Sequence, residues 1–269
     1  MTIWSSVLAT LLFFPPVNES PEPLAFSVRF TESIDQWVAL QAQPGEKTHI
    51  YGFVQLDPHQ GFILKGVGRF DLSSKGIFKV VASEKPDPNA SIRIRQNQLV
   101  ALFTAEQKRQ LGLPDKPDEQ KNLVDQNSIY YRTRIGYFCN ELHDPNVALS
   151  YLEPAYQESP EADGLAYELA RCYNAINQPQ KAITLLTRAL SKDPENIDWN
   201  RELAYGYLQS GQEHLAIDLY THVLGICPEG DIRRPKMAIF LANAYKQSGD
   251  TQSYFQWMQT AQSWNQSQK

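Results

Sequence analysis

The sequence predicts a two-domain β + α protein. A small antiparallel β domain, of sandwich or barrel-like form, precedes an all-α superhelix of stacked helical hairpins. Three observations predict it. Through residues 24–103, short β-branched and aromatic runs are separated by turn residues. From residue 128 onward, small, aromatic and proline positions recur every 34 residues: Leu169 and Leu203, Ala170 and Ala204, Tyr173 and Tyr207, Ala182 and Ala216, Pro194 and Pro228. Between these regions lies a charged, proline-bearing stretch poor in large apolar side chains, the expected boundary.

A chain of 269 residues has room for two domains, and its 42% hydrophobic and 20% charged residues suit a folded protein. Net charge is -5. From Ser128 onward there are 12 basic and 16 acidic side chains, leaving 13 basic and 14 acidic before it. Neither half offers the positive field that phosphates require, which argues against nucleic acid as partner. A polybasic membrane patch is equally lacking.

Residues 1–23 come first. Val7 to Phe14 is an apolar run of 8 residues. That is too short for a bilayer span, which takes about 20 residues, but it fits the core of a secretory signal. No Lys or Arg precedes it, and no small-x-small cleavage site follows. The expectation is an exported chain, periplasmic or secreted. The alternative is a cytoplasmic chain whose run docks as a strand or short helix. Pro15, Pro16, Pro21 and Pro23 make the following segment an extended spacer.

The β domain is expected over 24–103, with seven or eight strands. They include Ala25–Phe30, Trp37–Leu40, Ile50–Leu56, Phe62–Val67 and Ile92–Arg95. Turns are expected at Pro44-Gly45, around Pro58, at Ser73–Gly76 and at Pro86–Asn89. Gly66-Val67-Gly68 lacks the helix that a phosphate loop needs, so both glycines read as bulge or close-packing positions. His49 and His59 each stand alone beside a turn, and no nucleophile-base spacing is visible. The chain therefore reads as non-catalytic, with no cofactor.

The connector spans 104–127. Thr104 caps a short helix that Gly112 and Pro114 close. It either links the domains or lies as a clamp across both. Repeats follow at about 129–162, 163–196, 197–230 and 235–268. The last is displaced by four residues near Gly230–Arg234, since Ala242 and Tyr245 follow Ala204 and Tyr207 by 38. It carries Tyr254 where the others have Ala148, Ala182 and Ala216. Terminal units of an array are expected to be atypical.

These residues resemble the tetratricopeptide repeat family. The middle two units carry the pattern most fully, with Leu169, Ala170 and Tyr173, then Leu203, Ala204 and Tyr207, followed by Ala182, Ala216, Pro194 and Pro228. The small residues and prolines serve helix packing. The resemblance implies a superhelix whose concave face binds a protein or peptide segment, lined by fixed positions of each first helix. Carried over, those positions are Tyr130, Thr133, Arg134, Tyr137, Asn140 and Glu141 in the first unit. Tyr167, Glu168, Arg171 and Asn174 follow in the second, and Arg201, Glu202, Tyr205 and Gln209 in the third. Lys236, Phe240, Asn243 and Lys246 come from the fourth. The bland alternative is a solvated face whose charges pair, as Glu168 with Arg171 at i, i+3.

Some members grip C-terminal carboxylates with a Lys/Asn/Asn/Lys/Arg set. Here those places hold Thr133, Tyr137, Glu168, Asp198 and Glu202, and three acids would repel a carboxylate. Cys139 and His143 lie i, i+4 but form too small a set for a metal. Cys139, Cys172 and Cys227 read as small buried helix residues, not as a disulfide framework. Two other functions stay open. The β domain could bind a carbohydrate or act as an enzyme if Trp37, Tyr51, Phe53 and Phe62 form an open platform, and the repeats could mediate self-association.

Overall fold

The computed structural model describes residues 23–73, 77–81, 87–116 and 125–267. The apolar run Val7 to Phe14, most of its spacer, the turn at 74–76 and the connector's charged part at 117–124 lie outside the described residues.

Seven strands are described: β1 Val28–Arg29, β2 Trp37–Leu40, β3 Thr48–Asp57, β4 Gly61–Leu72, β5 Phe78–Val80, β6 Asp87–Arg93 and β7 Leu99–Leu102. They form one sheet in the order β1-β7-β2-β3-β4-β5, every pairing antiparallel. β6 shares the free edge of β4 with β5: β6 lies opposite Ile63–Val67 and β5 opposite Phe70–Leu72. The β3–β4 register slips between Tyr51 and Phe53, and Gly66 opposite the slip takes φ 60°, which only glycine adopts without strain. Gly68 is the close-packing position, since a Cβ there would lie 2.4 Å from the Tyr51 ring.

Two strand boundaries depart from the periodicity. The expected strand Ala25–Phe30 shrinks to β1, because Phe30 begins a 3-10 turn, Phe30–Glu32, and is fully buried. Asp87-Pro88-Asn89, expected in a turn, belongs to β6. An edge strand pairs on one side only, so the missing N–H of Pro88 can face away from the ladder.

Alternation sends two sets of side chains to opposite faces of the sheet. Trp37, Tyr51, Phe53, Phe70, Phe78 and Phe103 build an aromatic core on one face. Helix α1, Ala105–Leu111, covers it with Leu111, and Trp37 Nε1 donates to Pro114 O at 2.8 Å. The Thr104/Gln107 capping box starts α1, and Gly112 in the left-handed region ends it. The helix thus packs on the sheet. Trp37, Tyr51, Phe53 and Phe62 are at most 5% exposed, which removes the open aromatic platform on which a carbohydrate-binding or enzymatic β domain depended.

Eight further helices are described: α2 Ile129–Glu141, α3 Pro145–Glu158, α4 Leu165–Ala175, α5 Pro179–Leu190, α6 Ile197–Gln209, α7 Glu213–Ile226, α8 Arg234–Ser248 and α9 Thr251–Ser267. They pack as consecutive antiparallel-type hairpins, each against the next. Ala170, Ala182, Ala204, Ala216 and Ala242 are fully buried where helices meet. Pro160, Pro194 and Pro228 follow the ends of α3, α5 and α7. Among the described residues no helix is long and apolar enough to cross a membrane.

The sheet's second face, with Val38, Val54, Leu56, Phe62 and Leu64, shares one hydrophobic core with Tyr131, Ile135 and Phe138 of α2. Gly61 lies so close to α2 that a Cβ would stand 2.8 Å from the Phe138 ring. Arg134 Nε donates to Pro58 O at 2.7 Å. A polar clamp completes the joint. The side chain of Asp144, 1% exposed, accepts from Thr31 Oγ1 at 2.5 Å, Asn97 Nδ2 at 3.1 Å and Arg29 Nη1 at 3.2 Å. Burial pushes the Asp144 carboxyl upward. Hydrogen bonds from Thr31, Asn97 and the Val147 backbone, with the Arg29 charge, outweigh it and hold the pKa below the ordinary value.

Candidate functional site: a cleft between the first helices

The first helices of successive hairpins, α2, α4, α6 and α8, line a cleft of about 520 Å³. Ten of the expected positions line it, among them Tyr137, Tyr167, Arg171, Arg201, Tyr205 and Lys236. The others are Glu141, Glu168, Glu202 and Phe240. Asp198 and Tyr220 complete the lining. Tyr220 belongs to α7, a second helix, so a rule confined to first helices does not reach it.

The charged floor is paired within itself. Arg171 meets Glu141 at 2.9 Å and Glu168 at 3.0 Å. Arg201 meets Asp198 at 3.4 Å and donates to Tyr167 Oη at 2.5 Å. Arg171 also lies over the Tyr167 ring, 5.8 Å from its centroid. Burial pushes the Tyr167 hydroxyl up to about 12, and it raises Glu168 against the opposing pull of Arg171 and the Asn140 hydrogen bond. Positions 34 apart carry exchanged side chains: Tyr167 corresponds to Arg201, and Arg171 to Tyr205. Above this floor Tyr205 is 39% exposed, and Lys236 Nζ stands 5.8 Å from the Phe240 ring.

The other expected lining residues are placed elsewhere. Asn140 is buried and donates to both the backbone and the carboxylate of Glu168, at 3.0 and 2.8 Å. Asn174 repeats this toward Glu202 at 3.1 and 2.8 Å. The pattern stops one unit later, where the equivalent residues are the apolar Leu208 and Phe240. These pairs join neighbouring hairpins. Thr133 bonds its own helix at Ile129 O. Arg134 turns to the sheet, Tyr130 is 51% exposed outside the cleft, and Gln209 donates to Tyr205 Oη at 3.1 Å. Asn243 and Lys246 are exposed on α8, outside the cleft lining.

The Cys139–His143 pair is not a helical i, i+4 pair. Helix α2 ends at Glu141, and His143 has φ 56° beyond it, while Cys139 is fully buried. Cys139, Cys172 and Cys227 are buried free thiols, and burial pushes Cys172 up to about 12. Among the described residues no three His, Cys, Asp or Glu side chains are grouped to hold a metal.

The profile of the tetratricopeptide repeat family matches residues 141–204. No curated protein matches the chain in sequence. Solved structures similar to part of this chain include MamA MSR-1, 18% identical over 55% of this chain and 83% of that one, TM-score 0.46. A second crystal structure of MamA is 21% identical over 53% of this chain and 81% of that one, TM-score 0.45. MamA from Desulfovibrio magneticus RS-1 is 15% identical over 54% and 79%, TM-score 0.47. The family match runs from the end of α2 into α6, the stretch that includes the repeat units whose residue pattern is fullest.

Proposed function

We propose that this array is a non-catalytic interaction scaffold that holds a peptide or protein segment in the concave cleft. One observation carries the reading: four aromatic side chains, Tyr137, Tyr167, Tyr205 and Phe240, converge on a single cleft from four successive hairpins. Tyrosines of this kind anchor interfaces because they bury large area with few rotatable bonds. The floor charges are already partnered, so recognition rests on the aromatic faces, on exposed amide and hydroxyl groups, and on Lys236. The partner is a segment of a protein, and a second copy of this chain is one candidate source of it. The run Val7 to Phe14 supports an exported setting, which the N-terminal residue of the protein purified from its own cells would test.

The test uses random 12-residue peptides displayed on phage and selected on the full chain. Affinity of a selected peptide is measured by fluorescence polarisation. Tyr205→Ala should weaken it by about 30-fold, the loss typical of an interface anchor, with the fold intact because Tyr205 is half exposed. Affinity within twofold of wild type would refute the cleft as the binding surface.

A further inference from the structure

The cleft does not end at the last side chain of the array. Beyond α2 a second hollow of about 170 Å³ opens where the sheet meets the first hairpin, and Tyr137 and Glu141 line both. Its far wall comes from the β domain: Gln60 and Phe62 around the start of β4, with Arg93, the last residue of β6, and Arg95 just beyond it.

We propose that the peptide site is composite: the segment held in the cleft continues past Tyr137 across this hollow and presents acidic side chains to Arg93 and Arg95. The inference rests on the cleft being a peptide site. Four observations support it. Arg93 and Arg95 are exposed and their side chains make no hydrogen bond or ion pair among the described residues, unlike Arg171 and Arg201 in the cleft floor. Extended backbone puts residues i and i+2 on one side, about 7 Å apart, a spacing that alternate side chains of an extended ligand can meet. Ile94 between them is 9% exposed, and its N–H donates to Phe62 O at 2.9 Å, so the pair is held in place. The acid in the hollow, Glu141, is already bonded to Arg171, which leaves Arg93 and Arg95 as the unpaired charged side chains of this lining among the described residues.

The joint between the two walls is rigid enough to define one ligand path. Phe138 packs on Gly61, Arg134 bonds Pro58 O, and Asp144 ties α3 to the start of the sheet and the β6–β7 loop. The required occupant is an acidic extended peptide whose acids cluster at one end and whose remainder is uncharged or aromatic.

The phage-selected 12-residue peptides test this directly. Wild-type protein should enrich peptides with Asp or Glu clustered at one end. Replacing those acids by Asn and Gln should weaken wild-type binding by about tenfold, as expected for two partly exposed ion pairs. The same replacement should change binding to the Arg93→Ala/Arg95→Ala variant by no more than about twofold. Both arginines are exposed, so this variant keeps its fold. Enriched peptides without acidic ends, or equal weakening in wild type and variant, would show that the arginines are merely solvated and would overturn the composite site. The cleft reading fails separately, if Tyr205→Ala leaves peptide binding unchanged; the composite site then falls with it.

Discussion

Asp144→Ala should loosen the joint between the sheet and the array more than any exposed substitution. In the structure the carboxylate takes three side-chain donors besides the Val147 backbone N–H, which the substitution leaves beside solvent at the start of α3. Arg29 is 51% exposed, so its ion pair contributes little. Thr31 is 1% exposed and Asn97 half-buried; each loses a hydrogen bond to a buried charge, worth roughly 1.5 kcal/mol apiece. The expected loss is about 3 kcal/mol, read from urea unfolding followed by tryptophan fluorescence at neutral pH. Thr31→Ala alone should lose about half of this, and adding it to Asp144→Ala should cost little more, since the two share one bond. The pH dependence has a definite sign. The folded pKa is depressed, so the stabilisation is present above the ordinary carboxylate value near 4 and is lost as pH falls through the lower folded value. The stability gap between wild type and Asp144→Ala should therefore narrow in acid below about pH 4. A loss under about 1 kcal/mol at neutral pH, or full additivity with Thr31→Ala, would refute the clamp.

Three further outcomes follow from the packing. Asn174→Leu leaves Glu202 without its amide partner and should cost about 2 kcal/mol in urea unfolding, whereas Asn174→Leu with Glu202→Phe, which copies Leu208 and Phe240, should recover most of it. Tyr51 Oη is buried without a hydrogen-bond partner among the described residues, so Tyr51→Phe should leave the thermal midpoint unchanged or raised; a drop of more than about 3 °C would show that the hydroxyl is bonded. Ellman's reagent should find no reactive thiol in the native protein at pH 8 and 3 in denaturant, because Cys139, Cys172 and Cys227 are all buried.

The helical half was legible because its constraint is local and repeated. Small residues at 34-residue spacing mark where helices touch, whatever the rest of the sequence does. The cleft was half legible for the same reason. Position within a repeat says which way a side chain points, and it brought Tyr167, Arg171, Arg201 and Tyr205 to one surface. It does not say whether a neighbouring helix captures the side chain first, which is what Glu168 and Glu202 do to Asn140 and Asn174. The joint with the sheet was not legible at all. Thr31 and Asp144 are 113 residues apart, and nothing in either neighbourhood signals the other. Strand ends failed where the chain entered a 3-10 turn although burial still alternated, as at Phe30, and where an edge position tolerated a proline, as at Pro88.

Cross-linking locates the bound segment most directly. A photoreactive benzoylphenylalanine is placed at Tyr205, in the cleft, or at Leu215, which is 46% exposed on α7 and outside the cleft lining, and each protein is irradiated with a selected peptide. Attachment at position 205 and not at 215 is the expected result. Attachment at 215 alone, or equally at both, would contradict the concave cleft as the surface through which this protein binds.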